Sequence, residues 1–224
     1  MNPVAQSVRP KVLNFYLRHL PAAHIPDLEN VTRYVEEAVV KQVARTPTGA
    51  EQDRDFDKLV KIEIYKLAGD TTRWLASQQE LVLREVRKSG VKDPRLSRLV
   101  MGLNTVQAKS VIETFTRSPY AANRLAGTYR RRRANTIATT ETTKWVSVAQ
   151  RAVWGAAKKQ GYLPIWTRVV WKNSRWDRVC DRCRLMNNQP STPDGMFITP
   201  EGFWIYTPPL HPNCRCGIYL KGGD

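Results

Sequence analysis

Residues 129–160 read YRRRRANTIATTETTKWVSVAQRAVWGAAKKQ, the longest helical periodicity in the chain. Ala134, Ile137, Ala138, Trp145, Val148, Ala152, Val153 and Ala156 fall on one stripe at spacings of three and four, predicting a long helix with one buried face. Glu141 lies on the same stripe, four residues after Ile137 and four before Trp145. A carboxylate on a buried face must find a cation or hydrogen-bond donors, or protonate. It could serve as a catalytic acid or base. With no cleft partner in the sequence, the reading taken is a structural ion pair to the C-terminal segment, where Arg175, Arg178 and Arg215 are available.

Arg130, Arg131, Arg132 and Arg133 precede the stripe. Successive helical residues step about 100° around the axis, so four in a row nearly encircle it and cannot all be buried or paired. They suit a solvated helix start, or contact with nucleic acid or an acidic partner surface.

On the N-terminal side the pattern stays helical. Asp27 caps a segment in which Leu28, Val31, Val35, Ala38, Val39 and Val43 repeat, ending at the turn Thr46-Pro47-Thr48-Gly49. A second helical stretch covers residues 51–68, is punctuated by Gly69-Asp70, and resumes from Thr71 to about Lys88 through Trp74, Leu75, Leu81 and Val82. Asp93-Pro94 opens a short helix, and Asn104 caps another running to Thr116.

On the C-terminal side the period changes from helical to alternating after Gly161. Trp166, Arg168, Val170 and Lys172 alternate with Thr167, Val169 and Trp171, as in a strand. Residues 196–199 and 203–206 flank Pro200-Glu201-Gly202, a hairpin signal, and residues 217–220 add a closing strand. The fold class expected is α+β: a mostly helical N-terminal and central region, then a small antiparallel β module with a Cys/His cluster. The division expected is a helical docking region over 1–100 and a second domain over 101–224, the latter with its basic helix at about 129–160 and its β/Cys module at 162–222.

Charge follows the same division. The 224 residues carry a formal charge of +16. Residues 1–100 hold 17 basic and 13 acidic groups, whereas residues 101–184 hold 17 and 4, a local net of +13. Such an excess calls for a polyanionic neighbour. No apolar run is long enough to span a membrane, and the N-terminus lacks the pattern of a secretory leader.

All four cysteines lie in the module, as Cys180-Asp-Arg-Cys183 and His211-Pro-Asn-Cys214-Arg-Cys216. A Cys-x-x-Cys knuckle followed at a distance by a second Cys/His cluster has zinc-site spacing. Cys180, Cys183, His211, Cys214 and Cys216 are five donors for four positions, the set being Cys180, Cys183 and Cys214 with either His211 or Cys216. Two disulfides or plain buried thiols are the other readings, and disulfides require maturation in an oxidising compartment. A hydrolytic zinc site needs an open position and a general base. The other histidines, His19 and His24, sit in the remote helical half. The His-x-Glu of zinc deaminases and the phosphate-binding glycine loop are missing. A non-enzymatic role is therefore expected, with structural zinc as the cofactor.

Arg133-Ala-Asn-Thr-Ile-Ala-Thr-Thr-Glu141 resembles the Arg-Ala-x-x-Ile-Ala-x-Thr-Glu signature of phage Mu F-like head-morphogenesis domains. The resemblance continues through Trp166, Asp177-Arg-Val-Cys180-x-x-Cys183 and Pro208-Pro-Leu-His-Pro-Asn-Cys-Arg-Cys216, over roughly residues 100–220. It implies a minor head (minor capsid) protein of a tailed bacteriophage, assembled in the host cytoplasm and residing in the virion head or at the portal vertex. The partners it implies are portal and capsid proteins, with DNA as a further contact and several copies per particle. A cellular zinc-stapled nucleic-acid-binding protein and, behind it, a metal-dependent nuclease are the rival expectations.

Overall fold

A computed structural model describes residues 3–19, 54–174 and 179–222. The helix expected from Asp27 and its closing turn lie outside these residues, as do Arg175 and Arg178.

Five helices precede the first strand among the described residues. Helix α1 (Pro3–His19) buries Ala5, Val8, Val12 and Tyr16, spaced three and four apart. Helix α2 (Arg54–Lys88) runs unbroken through Gly69-Asp70, where the sequence suggested a break. A mid-helix glycine costs only about 1 kcal/mol relative to alanine. Buried Thr71, Val82 and Val86 dock the helix beyond that point. Helix α3 (Pro94–Val100) starts as expected, with the Asp93 carboxylate accepting from Arg95 N at 2.9 Å. Helix α4 (Thr105–Arg117) opens on a reciprocal cap between Asn104 and Gln107.

Helix α5 (Pro119–Lys159) begins ten residues before the expected start at 129. Ser118 caps it by accepting from Ala121 N at 3.2 Å, and Pro119 occupies the first turn, where its missing N–H costs nothing. The helix is shared by two apolar clusters. Its first turns contribute Ala122 and Ala126 to a cluster with Val82, Val86, Leu96, Val100, Leu103, Ala108, Val111, Ile112 and Phe115. That cluster extends to both sides of residue 100. Farther along, Ala134, Ile137, Ala138, Trp145, Val146, Ala149, Val153 and Trp154 join α1 and the β module in the second cluster.

The module is antiparallel. Strand β1 (Arg168–Lys172) pairs with the last strand, β4 (Gly217–Lys221), with Arg168 opposite Lys221 and Lys172 opposite Gly217. Helix α6 (Asp181–Met186) follows β1. Strands β2 (Phe197–Ile198) and β3 (Trp204–Ile205) form the expected hairpin, whose Gly202 takes φ +84. Trp171 and Phe197, both fully buried, meet edge to face at 5.3 Å and centre this small core. The chain is α+β, as its pattern implied. Among the described residues no helix is long and apolar enough to cross a membrane.

Candidate metal centre

Helix α5 carries a threonine face that holds the cysteine loop. Thr143 Oγ1 donates to the Cys214 carbonyl at 2.9 Å, Asn213 N donates to Thr140 Oγ1 at 3.0 Å, and Asn213 Nδ2 donates to Thr136 Oγ1 at 3.2 Å. Asn213 takes φ +63, a left-handed geometry that asparagine tolerates better than most side chains. The loop approaches from residues 208–216, and the Cys-x-x-Cys knuckle faces it from α6. Cys180 caps α6 by accepting from Cys183 N at 3.5 Å, so both thiols of the knuckle turn inward.

All five predicted donors come together around one cavity of about 810 Å³, also lined by Asn135, Ser174 and Arg215. Cys180 Sγ lies 3.1 Å from His211 Nε2, and Cys183 Sγ lies 3.2 Å from the same nitrogen. Cys183 Sγ is 3.8 Å from Cys214 Sγ. The donors form two triangles, Cys180/Cys183/His211 and Cys183/Cys214/Cys216, which share Cys183. All four cysteines are free thiols here.

These residues fit a thiophilic metal. With Zn–S bonds of about 2.3 Å, two sulfurs of a tetrahedral site stand about 3.8 Å apart, the Cys183–Cys214 spacing. His211 Nδ1 lies 2.8 Å from the Pro212 carbonyl, so that nitrogen carries the proton and Nε2 keeps its lone pair for the cluster. The thiols already share charge. Hydrogen bonds from Cys183 and Cys216 hold the Cys214 thiol down to about 2. The same contact with Cys214 pushes Cys183 well up. At Cys216 the Cys183 contact lowers the value, but the Cys214 contact and burial outweigh it and raise it to about 12. Cys216 also points its sulfur to Asn173 Oδ1 at 3.7 Å, at the edge of the group.

Glu141 has a described partner on the helical side, while Arg175 and Arg178, two of its expected partners, lie outside the described residues. Its described partner is the Thr71 hydroxyl of α2, which donates to Oε2 at 2.8 Å, and among the described residues no arginine pairs with it. The carboxylate faces α1 and α2 rather than the cysteine loop. Burial raises its pKa, against the Thr71 hydrogen bond and the nearby Lys144, and its charge in turn adds to burial in raising the Tyr16 phenol.

The four arginines divide as helical geometry requires, and only two of the four candidate contact residues are left exposed. Arg130 donates through Nη2 to the Leu99 carbonyl at 2.8 Å. Arg133 is buried with its guanidinium 5.3 Å from the Trp74 ring centre. These two hold α5 against α3 and α2, while Arg131 and Arg132 remain exposed.

Several residues that build the site carry no motif. Thr136 and Thr143 are one group, beside Thr140 of the helix signature. Arg151 is another: buried, it donates to the Gly195 carbonyl at 2.6 Å and lies 5.0 Å from the Phe197 and 4.4 Å from the Tyr206 ring centres, fixing the hairpin to α5. The threonines had a signal: their density between 136 and 143 is unfavourable for a helix unless the hydroxyls have partners.

The site is thus a helix-borne, antiparallel Cys/His module whose donors could hold a soft metal ion. The sequence model described as Phage Mu protein F like protein matches residues 99–219, more than half of the chain. The chain belongs to that family, one of phage head-morphogenesis proteins. No curated protein and no solved structure matches it.

Proposed function

We propose that this chain is a non-enzymatic minor head protein that acts in head morphogenesis at the portal vertex, its C-terminal module stapled by one zinc ion. The observation that carries the staple is that Cys183 joins two donor triangles, Cys180/Cys183/His211 and Cys183/Cys214/Cys216, built from two chain segments, of which the 213–214 loop is anchored to α5. Zinc there would supply cross-linking of the knuckle to the loop. Among the described residues the cavity is lined by soft ligands and no carboxylate.

Family membership supports a place in the virion and contact with other head components. The helical region, with Val106 and Tyr120 exposed on it, would dock onto portal or capsid proteins. Arg131 and Arg132 would meet DNA or an acidic partner surface. The test is co-expression with the portal and major capsid proteins, followed by purification of portal oligomers and proheads. Co-purification in few copies per portal, with about one zinc per chain, supports the proposal. A freely soluble chain that joins neither particle overturns it.

A further inference from the structure

We infer that the outer face of the β1–β4 ribbon, with Arg168, Lys172, Tyr219 and Lys221, is a phosphate-binding surface for duplex DNA. This rests on the reading that the protein works beside DNA, and gives that contact a place other than the arginine run.

Hydrogen bonding fixes the face. Ser191 N donates to the Val169 carbonyl, Trp171 N to the Gln189 carbonyl and Asn188 N to the Trp171 carbonyl, at 2.7–2.9 Å. Val169 and Trp171 thus spend their backbone groups on residues 188–191. The alternate residues Arg168, Val170 and Lys172 face β4, opposite Lys221, Tyr219 and Gly217. Val169, Trp171 and Ile218 bury their side chains in the core. Side chains alternate along a strand, so Arg168, Lys172, Tyr219 and Lys221 share the opposite face, around Val170, which is itself buried there.

Arg168 and Lys221 are therefore directly opposed across the ribbon, about 5.5 Å apart at their Cα atoms. Lys172 lies at the far end, its ammonium 5.8 Å from the Tyr219 ring centre. Lys158 donates to the Thr167 carbonyl, bringing the Lys158-Lys159 end of α5 to the Arg168 end. Among the described residues no carboxylate pairs with Lys159, Arg168 or Lys172. Two of the module's described acids are paired with other cations, Asp181 with Arg184 at 3.1 Å and Glu201 with Arg182 at 2.5 Å.

Repeated cations on a narrow ribbon match a regular polyanion. From Arg168 to Lys172 the strand spans about 13 Å. Over that axial length one strand of duplex DNA carries about four phosphates. A two-stranded ribbon is also narrow enough for the major groove. Arg131 and Arg132 lie on α5 and not on the ribbon, so the two sets of cations can be substituted separately.

The experiment is fluorescence anisotropy of the full chain with a 30-base-pair duplex of random sequence, titrated at several salt concentrations. The triple variant R168A/K172A/K221A is compared with R131A/R132A, and thermal melting checks that each is folded. We expect the triple variant to lower the slope of log affinity against log salt by about 2.7, for three phosphate contacts, independently of sequence. The variant R168K/K221R keeps the charges and should keep the slope. Unchanged binding by the triple variant, or loss confined to R131A/R132A, overturns the ribbon surface while leaving a DNA-contacting protein. Failure of the unaltered chain to bind overturns the DNA reading itself. Equal binding to poly-glutamate at matched charge also overturns the inference, in favour of an acidic protein partner.

Discussion

Thr143 and Cys214, 71 residues apart in sequence, are joined by a 2.9 Å hydrogen bond from hydroxyl to carbonyl. The bond is buried and ties the longest helix to the loop that presents the thiolate. Helix and metal centre are therefore one structural unit. The threonine can be replaced by valine with little change of shape, which isolates the bond.

T143V should leave the Cys214 carbonyl without its partner and cost about 1–3 kcal/mol, while T143S should restore most of the loss. Urea unfolding of the three proteins checks this. Valine at no cost would mean that the loop is held by its other contacts alone.

Cys183 belongs to both donor triangles and Cys216 to one. C183S should abolish metal binding, whereas C216S should still bind one metal, because the Cys183–Cys214 edge and His211 remain. Elemental analysis and cobalt(II) absorption spectra report this directly. Chelation should unfold the module, and affinity should fall with falling pH as protons compete for the thiolates. Equal loss in both variants would place Cys216 among the ligands.

Burial raises the pKa of Glu141 above its unfolded value. The stability linked to this group is thus fully present below pH 4.5, the ordinary value, and lost as pH rises through the folded pKa. Glutamine imitates the protonated form. Relative to the unaltered protein, E141Q should gain in melting temperature as pH rises from 4 to 8. A difference that stays flat across that range would show that the carboxyl titrates normally.

The arginines separate by substitution. R133A removes a buried guanidinium over Trp74 and should destabilise by about 0.5–2 kcal/mol. R131A/R132A, on exposed positions, should leave the melting temperature unchanged.

W171A empties a fully buried site against Phe197. It should cost about 3–5 kcal/mol and loosen the β module before the helices. Loss of hydrogen-exchange protection confined to residues 168–221 is the expected signature.

Periodicity and turn chemistry made much of this fold legible. Asp93, Asn104 and the hairpin at 200–202 announced their elements because caps and turns are local. The start of α5 was missed because the Gly127 region has little periodicity, although Ser118-Pro119 carries a cap signal. The break suggested at Gly69 did not form, since a single glycine is outweighed by packing farther along. The cysteine cluster was legible from spacing. Its anchoring was not, because threonine and buried arginine have no sequence-local partner. Thr71 of Glu141 lies 70 residues away.

Helix α5 is rooted at its two ends in different clusters, Ala122 and Ala126 in one and the residues from Ala134 onward in the other. At about 1.5 Å per residue it is a rod about 60 Å long. A tilt of about 5° imposed where its first turns are gripped would swing the far end by about 5 Å. Whatever seizes the helical end in an assembly thereby aims the β module by leverage, without any change of shape within either cluster.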